Sequence, residues 1–165
     1  MNRTAYRASE KSLHWMSAAA IITLIGIAIW GGQLSPGPTK LILGRLHLGL
    51  GVIVLALSMV RAAIRLSGPK LSGIGIAARS VHTGLYLLLF AIPATGLVTT
   101  IRSNGIYILL NLSGGEAYNP LLAEDTANLH IILAYTMVIA LIGHIGAAFW
   151  HQFILRDGTM AKMMR

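Results

Sequence analysis

Every stretch of this sequence long enough to cross a lipid bilayer carries histidine. A crossing takes about 20 helical residues, and four apolar stretches reach that length, at about 13–31, 44–64, 80–101 and 128–152. His14 falls in the first, His47 in the second, His82 in the third, and His130, His144 and His151 in the fourth. Ionisable groups inside a span are costly and as a rule serve function. The composition agrees with a membrane protein: 55% of the residues are hydrophobic and 11% charged, against about a quarter charged in a soluble domain. The chain is too aliphatic for disorder. With no cysteine, disulfides, thiolate zinc sites, iron–sulfur clusters and thioether-linked haem are excluded. The formal charge of +8 comes without a basic run, so nucleic acid is not an expected partner.

Helix breakers separate the spans. Pro36-Gly37-Pro38 closes the first hairpin, and Ser67-Gly68-Pro69 with Ser72-Gly73 closes the second. The third connection, about 102–127, is longer and holds Gly114-Gly115 and Pro120. Its apolar piece at 106–112 is too short to span and is expected at the interface or over the bundle, and Asp125 or Thr126 is expected to N-cap the last helix. Short connections make neighbours antiparallel, so the expected fold is all-α, an up-down four-helix integral membrane bundle forming one transmembrane domain over 1–165. Ten of the thirteen basic residues (Arg3, Arg7, Lys11, Arg61, Arg65, Lys70, Arg79, Arg156, Lys162 and Arg165) fall on one side. The positive-inside rule makes that side cytoplasmic, with both termini on it. Lys40, Arg45 and Arg102 fall on the other side, balanced by Glu116, Glu124 and Asp125. No small-residue cleavage site follows the first apolar run, so the first span is expected to be permanent rather than a signal peptide. A multi-pass bacterial inner-membrane protein is the expected localisation.

On this topology the histidines sort by depth. His47 and His130 lie on the outer side; His14, His82, His144 and His151 lie on the cytoplasmic side. His130 and His144 are 14 residues apart, close to four turns, so they share a face of one helix at depths differing by ~21 Å. Ligand-type side chains stacked this way suit two cofactors, and haem b, held noncovalently by axial histidines, is the natural candidate. Zinc is disfavoured, because no three or four His, Asp or Glu residues share one depth at helical spacing. Gly49, Gly51, Gly84, Gly143 and Gly146 lie close to these histidines, which suits a flat macrocycle between helices, though small residues also serve close helix packing. The outer pair is His47 with His130. For the inner pair His144 is favoured, with His14 or His82 as its partner.

A set of motifs runs in register along the whole chain. Ser12-Leu13-His14-Trp15 is followed by His47-x-Gly49, with Arg61 and Arg65 ending the same helix. Then come His82-x-x-x-Tyr86, Pro93-x-x-Gly96-Leu97 and the His130, His144, His151 series. Together they resemble the bacterial cytochrome b561 family. The resemblance implies two b haems, with ligand pairs His14/His144 and His47/His130, leaving His82 and His151 unligated near the cytoplasmic face. It also implies a superoxide oxidase-like activity, in which superoxide outside donates electrons that pass to ubiquinone.

The remaining polar groups fit around that expectation. Histidine titrates near neutrality, so His82 and His151 are candidates for quinone protonation at a site between the third and fourth spans. Arg61 and Arg65 suit haem propionates, and equally serve the positive-inside signal. Arg45, with Lys40 and Arg102, sits where topology asks for no cations; it either steers a small anion to the outer haem or holds a propionate there. Trp15, Trp30 and Trp150 read as interfacial anchors. The alternative reading is a cytochrome b subunit anchoring a soluble dehydrogenase, of the hydrogenase or formate dehydrogenase kind, to the quinone pool. A haem-free transporter lacks the expected paired broken helices.

Overall fold

The computed structural model describes residues 6–67, 75–112 and 117–164. Arg3, Lys70, Glu116, Arg165, the Gly114-Gly115 pair and most of the second expected turn (Gly68, Pro69, Ser72, Gly73) lie outside the described residues. Helix α1 spans Ala8–Gln33, α2 Pro38–Ser67, α3 Ile76–Arg102 and α5 Glu124–Trp150. All four are long and apolar enough to cross a membrane. Each extends beyond its apolar stretch by several residues at one end or both. Helix geometry does not stop where hydrophobicity stops; the backbone continues into the interface until a breaker intervenes. Between α1 and α2 that breaker is Pro36-Gly37-Pro38: the Leu34 amide closes back on the Gly31 carbonyl, and Pro38 opens α2 in the first position, where a missing N–H costs nothing.

Short elements cover the end of the bundle that carries His47 and His130. Helix α4, Gly105–Leu110, is the 106–112 segment expected over the bundle. It lies against α2, where a Cβ at Gly44 would come 3.1 Å from Leu109. Asn104 and Asn111, both left-handed, turn the chain into and out of it. The start of α5 departs from expectation. A 3-10 turn at Pro120–Ala123 leads into it, capped by the Asn119 side chain, which accepts from the Leu121 amide. The residue preceding α5 is Ala123, with no side-chain cap, and both Asp125 and Thr126 lie inside the helix. Asp125 instead takes the Arg102 guanidinium on both oxygens at 2.8 Å.

Helix α1 packs on α2, α2 on α3 and α3 on α5. Neither α1 nor α2 packs closely along α5 among the described residues. The buried apolar cluster is Val54, Leu89 and Met137, with Ile21, Leu24, Ile92 and Leu141 against it. Each of its three members sits midway between two notable residues. Val54 lies seven residues from His47 and from Arg61, Leu89 seven from His82 and from Gly96, and Met137 seven from His130 and from His144. Seven residues are nearly two turns, ~10 Å of rise, so each helix turns the same face to the interior at all three levels. The bundle is therefore layered: a polar tier, an apolar plug and a second polar tier. Ser17 and Ser58, buried toward the inner tier, satisfy their hydroxyls on the Leu13 and Val54 carbonyls at 2.7 Å.

Candidate functional site: two histidine tiers

One tier, called outer after the orientation expected from the basic residues, holds His47 on α2 and His130 on α5, with ring centres 6.2 Å apart. Helix α3 builds the seat for His130. The His130 Nδ1 lies 2.9 Å from the Ile92 carbonyl; a carbonyl only accepts, so Nδ1 carries the proton and Nε2 keeps its lone pair. The ring approaches α3 so closely that a Cβ at Gly96 would lie 2.9 Å from His130 Cε1. Only glycine permits that approach. Pro93 sits beside this seat inside α3, where it removes one helical hydrogen bond, and the Thr95 hydroxyl back-bonds to the Ala91 and Ile92 carbonyls. His47 is turned toward the backbone of Leu24 on α1. His130 is thus oriented by the main chain of a neighbouring helix.

The inner tier is more crowded. His144 on α5 lies with its ring centre 6.4 Å from His14 on α1 and 5.6 Å from His82 on α3. Arg61 places a guanidinium nitrogen 3.3 Å from His14 Nδ1 and its central carbon 5.5 Å from the centre of the Tyr86 ring, a cation–π distance. Arg65 lies nearby, close enough to act on His82. Trp15 meets His14 edge-on at 5.4 Å and donates its indole N–H to the Met163 carbonyl at 3.3 Å. Both residues left open as partners of His144, His14 and His82, therefore lie close to it.

His151 begins a π-helical turn, His151–Leu155, that ends α5. Its Nδ1 lies 2.6 Å from the Asp157 carboxylate, a partnership that spacing alone does not announce. On the outer face Arg45 is exposed and reaches the Ile108 carbonyl of α4 at 3.4 Å, while Lys40 bonds the Leu34 carbonyl. Arg102 is paired with Asp125 at 2.8 Å between exposed side chains. Trp15, Trp30 and Trp150 are half-exposed toward the helix ends, as anchors require.

The donor set fits a metal held between two imidazoles. Two imidazole–metal bonds of about 2 Å, with a ring radius at each end, place ring centres about 6 Å apart, as both His47/His130 and His14/His144 do. Both pairs join α5 to a helix that does not pack closely along it. A Cβ at Gly49, Gly51, Gly84, Gly143 or Gly146 would meet nothing within 4 Å, so these glycines do not serve close helix packing. Gly31, Gly44 and Gly96 do face neighbouring side chains.

The prokaryotic cytochrome b561 family matches residues 5–165. The chain belongs to that family. Among curated proteins, the chain is 26% identical to cytochrome b561 homolog 2 of Escherichia coli K12, over 96% of this chain and 90% of the relative. It is 26% identical to a Yersinia pestis protein named "Probable superoxide oxidase CybB", over 96% and 95% of the two chains. It is 29% identical to a cytochrome b562 of Cereibacter sphaeroides over 73% of this chain and 66% of that one. A prokaryotic b561 cytochrome is a membrane electron-transfer protein with b-type haem. Four membrane-type helices and this membership make the chain a multi-pass protein of the bacterial inner membrane.

Proposed function

We propose that this b561 cytochrome is a dihaem oxidoreductase that takes electrons from superoxide at its outer face and delivers them to ubiquinone on the cytoplasmic side, where both termini lie. The observation that carries this reading is the pair of histidine tiers, each bridging α5 to a helix it does not pack against. The printed name of the Yersinia pestis relative supports the donor. Haem b, when bound, would supply one-electron exchange at each tier.

The residues have distinct tasks. His47 and His130 would hold the outer iron, and His14 and His144 the inner one. Holding each iron by two histidines would favour electron transfer over binding of dioxygen. The Ile92 carbonyl, by accepting from His130 Nδ1, leaves Nε2 as the ligating atom and raises its basicity. At the inner tier the Arg61 contact makes His14 Nδ1 an acceptor. Ligation through Nε2 needs the opposite tautomer, so it requires Arg61 to leave the ring and frees its guanidinium, with that of Arg65, for propionate carboxylates. The Val54–Leu89–Met137 plug excludes water between the tiers. Arg45 raises the local concentration of an anion at the outer face. Two superoxide anions giving one electron each become dioxygen. Those two electrons, with two cytoplasmic protons, convert one ubiquinone to ubiquinol, and His82 and His151 assist the proton delivery.

Stopped-flow reduction of the haems by superoxide, with and without ubiquinone, tests this reading. Fast reduction that accelerates turnover when quinone is added is the expected result. Haems that ignore superoxide but accept electrons from a co-purifying dehydrogenase would replace it with the membrane-anchor reading.

A further inference from the structure

The cytoplasmic end of α5 carries a constructed histidine–carboxylate pair. The chain passes from the α-helix into the π-helical turn His151–Leu155, a deviation often found at functional sites. It then reverses through Arg156, whose φ of 51° is left-handed, and Gly158 at 72°. The reversal returns Asp157 to His151, six residues back. One carboxylate oxygen, Oδ2, stands 2.6 Å from His151 Nδ1, and the other, Oδ1, accepts the Thr159 amide at 2.9 Å. Asp157 is thus fixed by the turn on one side while it holds the ring on the other. The Trp15 indole, by bonding to the Met163 carbonyl, ties the rest of this segment to the start of α1, beside His14. Hydrogen bonds from Thr159 and from His151 hold the Asp157 carboxyl at about 2, well below the usual carboxylate range, so it stays an acceptor at any cellular pH.

We infer that Asp157 is a positioning residue for proton delivery: it keeps His151 in the tautomer with the proton on Nδ1, so that Nε2 is the atom that exchanges protons with the quinone. This rests on the proposed assignment of His151 to quinone protonation. In each cycle the doubly protonated ring gives its Nε2 proton to a quinone oxygen as the quinone accepts an electron. The neutral ring, still bonded to Asp157 through Nδ1–H, then takes a proton from cytoplasmic water. A carboxylate behind an imidazole performs the same orienting task in hydrolytic triads.

The test uses the purified, haem-loaded full chain and a short-chain ubiquinone as oxidant of the prereduced haems. In Asp157→Ala both haem spectra stay as in the native chain, the maximal rate of haem reoxidation falls about 10- to 100-fold, as for other groups that orient a functional histidine, and the half-saturating quinone concentration stays within about twofold. Asp157→Glu recovers most of the rate, and Asp157→Asn, which keeps an accepting oxygen without the charge, falls between. Nitrogen-15 NMR of His151 shows the Nδ1–H tautomer in the native chain and a mixture in Asp157→Ala. If His151→Ala slows reoxidation while Asp157→Ala does not, the positioning role is overturned and the quinone assignment stands. If His151→Ala itself leaves reoxidation unchanged, the quinone assignment fails first. A mixed tautomer in the native chain overturns the pairing whatever the quinone kinetics show.

Discussion

The two histidine tiers solve the same chemical problem with different degrees of freedom. The outer tier has two histidines, each turned to the backbone of another helix, and a glycine seat that admits one ring position. The inner tier has three histidines around one centre, with an arginine and a tyrosine among them. Main-chain carbonyls in a helix do not move independently, so the Ile92 carbonyl holds the His130 ring in one orientation. Side chains such as Arg61 and His82 can rearrange. On the proposed function, the tier serving a small one-electron donor would need only rigid ligation, whereas the tier serving quinone would also have to manage protons and a bulky headgroup.

The largest expected effect would separate the tiers outright. Replacing His47 or His130 with alanine should eliminate the outer haem and leave the inner spectrum in place, read by haem-to-protein ratio and reduced-minus-oxidised spectra. Loss of the inner haem instead would reverse the depth assignment. Next comes the ambiguity within the inner tier. His14→Ala should abolish the inner haem while His82→Ala preserves it and slows only quinone reduction. The converse result would make His82, whose ring is nearer to His144, the axial partner.

A smaller effect is expected from Gly96→Ala. Alanine improves helix propensity by about 1 kcal/mol, but its Cβ would push on His130 from 2.9 Å, and overpacking typically costs about 1–3 kcal/mol. The clash should win, weakening retention of the outer haem roughly tenfold or shifting its ferric EPR signal, with the inner haem unaffected. Smallest of all, Arg102→Ala should leave haem content, superoxide reduction and thermal stability unchanged, because both partners of the pair are exposed and such pairs contribute little. A slower reduction by superoxide there would give Arg102 the steering role.

The sequence made the spans and their order legible, because bilayer thickness and helical rise are fixed lengths. It could also single out His47 and His130, since the outer side offers no third histidine. It did not foresee the Gly96 seat. Gly96 was visible only as part of a proline–glycine motif on α3, and its contact is with a residue 34 positions away. The Arg102–Asp125 pair went unseen for the same reason, and the 3-10 turn at Pro120 displaced the expected cap of α5. Asp157 belongs to no motif in the sequence. The π-helical turn that brings it to His151 has no hydrophobic periodicity to betray it, and the approach of His82 to His144 depends on how α3 packs against α5.

The central claim is two bis-histidine b haems stacked along α5, and it is tested most directly by ferric EPR of the purified protein together with haem quantification. The account predicts a haem-to-protein ratio of two and two distinct low-spin bis-imidazole signals, one of which disappears in His130→Ala. A ratio of one, or a high-spin signal from an iron with an open axial position, would contradict it.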